Sequence, residues 1–183
     1  MKKLITGVMF TVAAMGICSS AAFAATNEAK AAYKAAEDNA DNEYKVSKAK
    51  CDGLAGNAKD VCSEEAKLAR TRIKAEAKAN YENTPKAYTK AMTDIADAEY
   101  AVAKEKCDDK AGNAKDVCIK EAKAIKETSI ANAKAGKKVA DARNDAAKTK
   151  NDADYSVAIE KCDGLAGPSK DACVASAKAQ YGK

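Results

Sequence analysis

Cysteine supplies most of the reactive chemistry open to this chain of 183 residues, which has seven Cys and neither His nor Trp. Six of the seven fall in three segments that align without gaps: Cys51 to Cys62 (CDGLAGNAKDVC), Cys107 to Cys118 (CDDKAGNAKDVC) and Cys162 to Cys173 (CDGLAGPSKDAC). Cysteine pairs of this kind close disulfides, cycle as redox dithiols or hold a soft metal ion. The lack of His excludes Ser-His-Asp and Cys-His nucleophile pairs, His-ligated zinc and His-bound haem.

The remaining options separate by context. Thiol oxidoreductases commonly use C-x-x-C at a helix N-terminus, and that spacing is absent; Asp60, Asp116 and Asp171 beside the second cysteines also oppose a thiolate. A metal site built from the cysteine pairs, or a redox-responsive use of them, is the alternative reading, with no His to assist it. The acids near the cysteines, Asp52 with Asp60 and their equivalents, lack the alternating oxygen ligands of a calcium loop and read as caps and helix-dipole partners. Lys59, Lys115 and Lys170 read as solvated residues of a tip. The seven Tyr fall at seam spacing, without the aromatic–basic interleaving of single-strand nucleic-acid binders. The expectation is therefore three structural disulfides, Cys51–Cys62, Cys107–Cys118 and Cys162–Cys173, with no catalytic residue, cofactor, metal or nucleic-acid partner.

Those bridges dictate the elements around them. On a continuous helix, ten intervening residues would hold the two cysteines of a copy roughly 16 Å apart, whereas a disulfide needs Cα atoms within about 7 Å. The chain must reverse, and Gly53, Gly56 and Asn57 supply the reversal, with Asn57 as the expected cap of the next helix. Copy two keeps Gly112-Asn113; copy three has Gly167-Pro168-Ser169, with Ser169 as the expected cap. The flanks are rich in Ala, Lys and Glu, which favour helix. Stripes such as Tyr33, Ala36, Ala40, Tyr44, Ser47 and Cys51 approach each first cysteine at three- and four-residue steps. The fold class is all-α: three repeated helix-turn-helix hairpins, each closed by a C-x10-C disulfide. Upstream matches strengthen the repeat, with Glu43-Tyr44-x-Val46, Glu99-Tyr100-x-Val102 and Asp154-Tyr155-x-Val157.

Asn83-Thr84-Pro85 breaks the helical pattern between the first two copies. Only Gly136 interrupts it between the second and third, at about 1 kcal/mol relative to Ala. The copies are assigned to residues 25–84, 85–136 and 137–183. Two arrangements satisfy the pattern: a compact bundle of six helices, or an elongated array in which one helix runs through Gly136. Asn144 to Asp154 is polar on nearly every face and is expected to be solvated or frayed.

The N-terminus has a separate logic. Met1-Lys2-Lys3, the apolar run from Leu4 to Ile17 and the A-x-A-type Ala22-Phe23-Ala24 read as a signal peptide, residues 1–24, cleaved after Ala24. The apolar run is too short for a comfortable membrane span, and no transmembrane segment is expected in the mature chain. Cys18 follows Ile17 rather than a small residue and reads as an ordinary signal-peptide residue. The mature chain from Ala25 has 159 residues with 39 Ala, and its Leu, Ile, Val and Phe number only 16. So thin a supply of large apolar groups is typical of chains without a core. Removing Lys2 and Lys3 leaves 30 basic against 27 acidic residues, interspersed and without a strong single-sign field.

The signal segment with an Ala/Lys/Asp/Glu-rich helical region from about Thr26 to Lys183 resembles the small bacterial periplasmic proteins described as TolA-like. Repetition, a soluble composition and the lack of catalytic groups lead to the expectation of a non-enzymatic, periplasmic or secreted bacterial cell-envelope protein with a structural, scaffold or stress-associated binding role. Its implied partner is an envelope protein or cell-wall component.

Overall fold

Alanine, lysine and glutamate lose little side-chain freedom in a helix, and the computed structural model, which describes residues 20–183, is helical almost throughout. The elements are α1 (Ser20–Cys51), α2 (Gly56–Glu82), α3 (Pro85–Cys107), α4 (Gly112–Asp163) and α5 (Pro168–Tyr181), with no strand among the described residues. The expected signal segment lies almost wholly outside them. The all-α hairpin fold is present: α1 with α2, α3 with α4, and the end of α4 with α5 form the three disulfide-closed hairpins.

Two connections of different kind set the architecture. Asn83 ends α2 in the left-handed conformation (φ 45°), donating its N–H to the Ala79 carbonyl. Thr84 then caps α3, its Oγ1 accepting from the Ala87 N–H at 3.1 Å, with Pro85 in the first turn. The chain reverses there within two residues. Gly136, by contrast, lies inside α4, which runs unbroken for 52 residues, about 78 Å. The boundary between the second and third copies is thus no break in the helix. Asn144 to Asp154 is helical too, and residues 142–151 are exposed without interruption: solvated, but not frayed.

Each helix packs only against its neighbours in chain order, α1 on α2, α2 on α3, α3 on α4, and α4 on α5. This is the elongated array, one helix thick. A single layer cannot enclose a core, and the interior shows it. Among the described residues, apart from Val102 and the first cysteine of each copy, every buried apolar residue is an alanine. Cys51, Cys107 and Cys162 are the largest side chains fully withdrawn from solvent. Alanine seams let helices approach closely but remove little apolar area from water. Closing a loop of this length contributes about 3 kcal/mol in the chain-entropy model, so the bridges stand in for the missing core.

The order of directions places the tips. Glu65, near the start of α2, pairs with Lys106, near the end of α3, at 2.7 Å. The first and second tips therefore lie side by side. The third is at the far end of α4, where Cys162 is about 66 Å along the helix from Cys118.

Candidate functional site

The three tips share one construction. The chain leaves the first helix through a turn in which the N–H three residues after the first cysteine bonds back to its carbonyl. Leu54 to Cys51, Lys110 to Cys107 and Leu165 to Cys162 all do so at 3.0 Å. It enters the second helix through a glycine with positive φ: Gly56 at 57°, Gly112 at 54° and Gly167 at 56°. L-residues other than Asn or Asp rarely adopt that conformation. The reversal brings the cysteine Cα atoms to 5.6, 5.7 and 5.6 Å, and all three bridges are closed. In each, the first cysteine is buried and the second only partly so.

The residues beside the bridges take roles different from those expected. Asn57 does not cap α2: the N-cap is extended Ala55, without a side-chain cap bond, and the buried Asn57 Nδ2 has no partner. Ser169 does not cap α5 either, since Gly167 occupies the cap position and Pro168 opens the helix. A glycine with positive φ is the first residue of α2 and α4 and the residue before α5, so Asn57 and Ser169 fall inside the first turn rather than ahead of it. No carboxylate of Asp52, Asp108 or Asp163 caps a helix N-terminus, although Asp108 ends α3 as its C-cap residue, its N–H donating to the Glu105 carbonyl. Each forms an ion pair across the neck with the lysine expected to be free in solvent: Lys59–Asp52 at 3.3 Å, Lys115–Asp108 at 3.0 Å and Lys170–Asp163 at 2.9 Å. Only Asp171 lies in a first helical turn as anticipated. Such exposed pairs contribute about 0–1 kcal/mol, and the same pair recurs in all three copies.

One helical turn or two below each bridge is a second recurring cluster: a tyrosine, a cation over its ring, and the aspartate three residues before it. Arg70 stands 5.1 Å from the Tyr44 ring centre, and its Nε donates to Asp41 at 2.6 Å. Lys74 also pairs with Asp41, at 2.7 Å. Lys126 stands 5.2 Å from the Tyr100 ring and 2.7 Å from Asp97. In the third copy Tyr181 occupies the place of Arg70 and meets Tyr155 edge to face at 6.1 Å. The cation is then Lys183, beyond left-handed Gly182, which lies 5.9 Å from the Tyr155 ring and pairs with Asp152. Hydrogen bonds from Lys74 and Arg70 hold the Asp41 carboxyl below the usual aspartate range, and Lys183 does the same for Asp152. Asp97 correspondingly raises the pKa of Lys126. These groups clamp one helix to the next. The tyrosines flank the alanine seams, and Tyr88 stands apart at the α2–α3 turn, its hydroxyl bonding the Asn80 and Asn83 side chains.

A shallow groove of about 580 Å³ lies between that turn and the middle of α4, lined by Thr84, Tyr88, Met92, Ala133, Lys137 and Arg143 among others. It brings together no nucleophile with a base, and Lys137 is paired with Asp141. Among the described residues, no group of three or more His, Cys, Asp or Glu is placed to hold a metal ion, and no helix is long and apolar enough to cross a membrane. The candidate site is therefore the tip itself, a disulfide-locked loop presented three times. Comparison of the chain with protein-family models, curated proteins and solved structures returned no match.

Proposed function

We propose that this chain is a non-enzymatic, secreted or periplasmic bacterial cell-envelope protein that acts as a helical spacer or scaffold, presenting disulfide-locked tips to an envelope protein or cell-wall component. One observation carries the reading: a single continuous helix separates tip clusters by about 66 Å, with every bridge closed. Three disulfides fit an oxidising compartment outside the cytosol. A signal segment cleaved after Ala24 and an envelope role like that of TolA-like proteins complete the proposal. For the bridges, a structural role is favoured over a redox- or metal-responsive one because the first sulfur of each pair is buried and no further cysteine lies among the described residues to exchange with it.

Thiol trapping in intact cells and in a periplasmic extract tests this. The expected product begins at Ala25, has no reactive thiol before reduction and binds no zinc or copper. Retention in the cytosol with free thiols, or a turnover reaction abolished by one substitution that leaves the fold intact, would overturn it.

A further inference from the structure

The layer has two open edges, and its own internal packing indicates what fits them. Where α3 meets α2, Ala87 and Ala91 pack with Ala79 and Ala75, Glu99 accepts from Arg72 at 2.7 Å, and Lys106 pairs with Glu65 at 2.7 Å. Val102 lies on the same stripe between Glu99 and Lys106 and is 7% exposed.

The same residue types recur at the same spacing on α1, as Ala31, Ala35, Glu43, Val46 and Lys50. No helix covers them: all five are exposed, and Val46 is 58% exposed. The complementary face recurs as well. Glu65, Ala75 and Ala79 of α2 correspond to Glu121, Ala131 and Ala135 of α4, which are all exposed, since α4 packs only on α3 and α5. Neither Lys50 nor Glu121 has an ion-pair partner among the described residues, although their counterparts Lys106 and Glu65 pair with each other.

We propose that a second copy of the chain docks the Glu121–Ala131–Ala135 face of its α4 on the Ala31–Val46–Lys50 stripe of α1, repeating the α2–α3 packing between molecules. Lys50 of one copy then pairs with Glu121 of the next, alanine packs on alanine, and Val46 is covered as Val102 is. The two faces differ, so the contact is heterologous and leaves a free edge at each end; it builds an open strip rather than a closed dimer. Thr128 stands where α2 has Arg72, so Glu43 gains no cation and the contact is weaker than its internal counterpart. The inference is independent of compartment and of the scaffold reading, because it rests only on the repeat.

Sedimentation velocity on the intact, oxidised protein at concentrations up to about 1 mM tests it. Concentration-dependent association beyond the dimer is expected. Lys50→Glu or Glu121→Lys alone should weaken it at least about tenfold, and the double variant, which restores an opposite-charge pair, should recover it. Circular dichroism and a thiol count on each variant establish that the fold and bridges are intact. A monomer at every concentration would overturn the proposal, as would association indifferent to both reversals. Sensitivity to Lys50→Glu without sensitivity to Glu121→Lys would also overturn it, since that pattern belongs to α1 packing on α1.

Discussion

At the scale of residues, the cysteine bridges stand in for large apolar side chains, and exposed aspartates pair one helix with the next. Removing the second bridge by Cys107→Ser with Cys118→Ser should cost about 3 kcal/mol, measured by urea unfolding followed by circular dichroism. A cost near zero would mean that the bridges are not the core. The clamps also fix the pH response. Asp41 and Asp152 bind a proton less readily folded than unfolded, so their contribution is complete above the ordinary aspartate value and is lost as pH falls through their lowered folded values, below about 4. Lys126 and Lys67 are held above the ordinary lysine value by Asp97 and Glu64, so their contribution is complete below about 10.5 and is lost as pH rises past it. With no His in the chain, the melting temperature should be flat from about pH 5 to 9. A step near pH 6.5 would contradict this account. The ion pair at each tip was legible in the sequence, because Asp52 and Lys59, Asp108 and Lys115, and Asp163 and Lys170 keep one spacing across a forced reversal. Reading those acids as caps overlooked that a glycine with positive φ starts the helix without one.

At the scale of elements, two glycines that look alike in sequence behave oppositely. Gly136 lies in the exposed interior of α4, and a Cβ there meets nothing within 4 Å. Gly136→Ala should therefore stabilise the protein by about 1 kcal/mol. Gly56 also has open space around its Cβ position, but its φ of 57° makes Gly56→Ala cost about 1–2 kcal/mol. Paired thermal melts would show the opposite signs, and equal signs would refute the assigned turn geometry. The helices and their bridges could be read from the sequence because cysteine spacing and Ala/Lys/Glu propensity are local signals. Whether one helix passes through Gly136 could not, since a cost of about 1 kcal/mol is small beside the propensity of the alanine-rich flanks. The tyrosine clamps were hidden for another reason. Their cations come from the opposite helix, and the third copy draws its cation from Lys183, two residues beyond the place that Arg70 predicts.

At the scale of the whole molecule, repetition without closure is the governing feature. Three hairpins of one pattern do not form a three-fold object, because Asn83-Thr84-Pro85 folds the first onto the second whereas α4 carries the third away in line. Two tips end up together and one stands apart, a pair at one end of α4 and a single tip at the other. The molecule is an extended single layer held by its bridges, and small-angle X-ray scattering on the dilute, oxidised protein measures that extension. An extended layer gives a maximum dimension of at least about 78 Å and a radius of gyration above about 20 Å; a radius near 16 Å, as expected for a compact domain of this length, would overturn it.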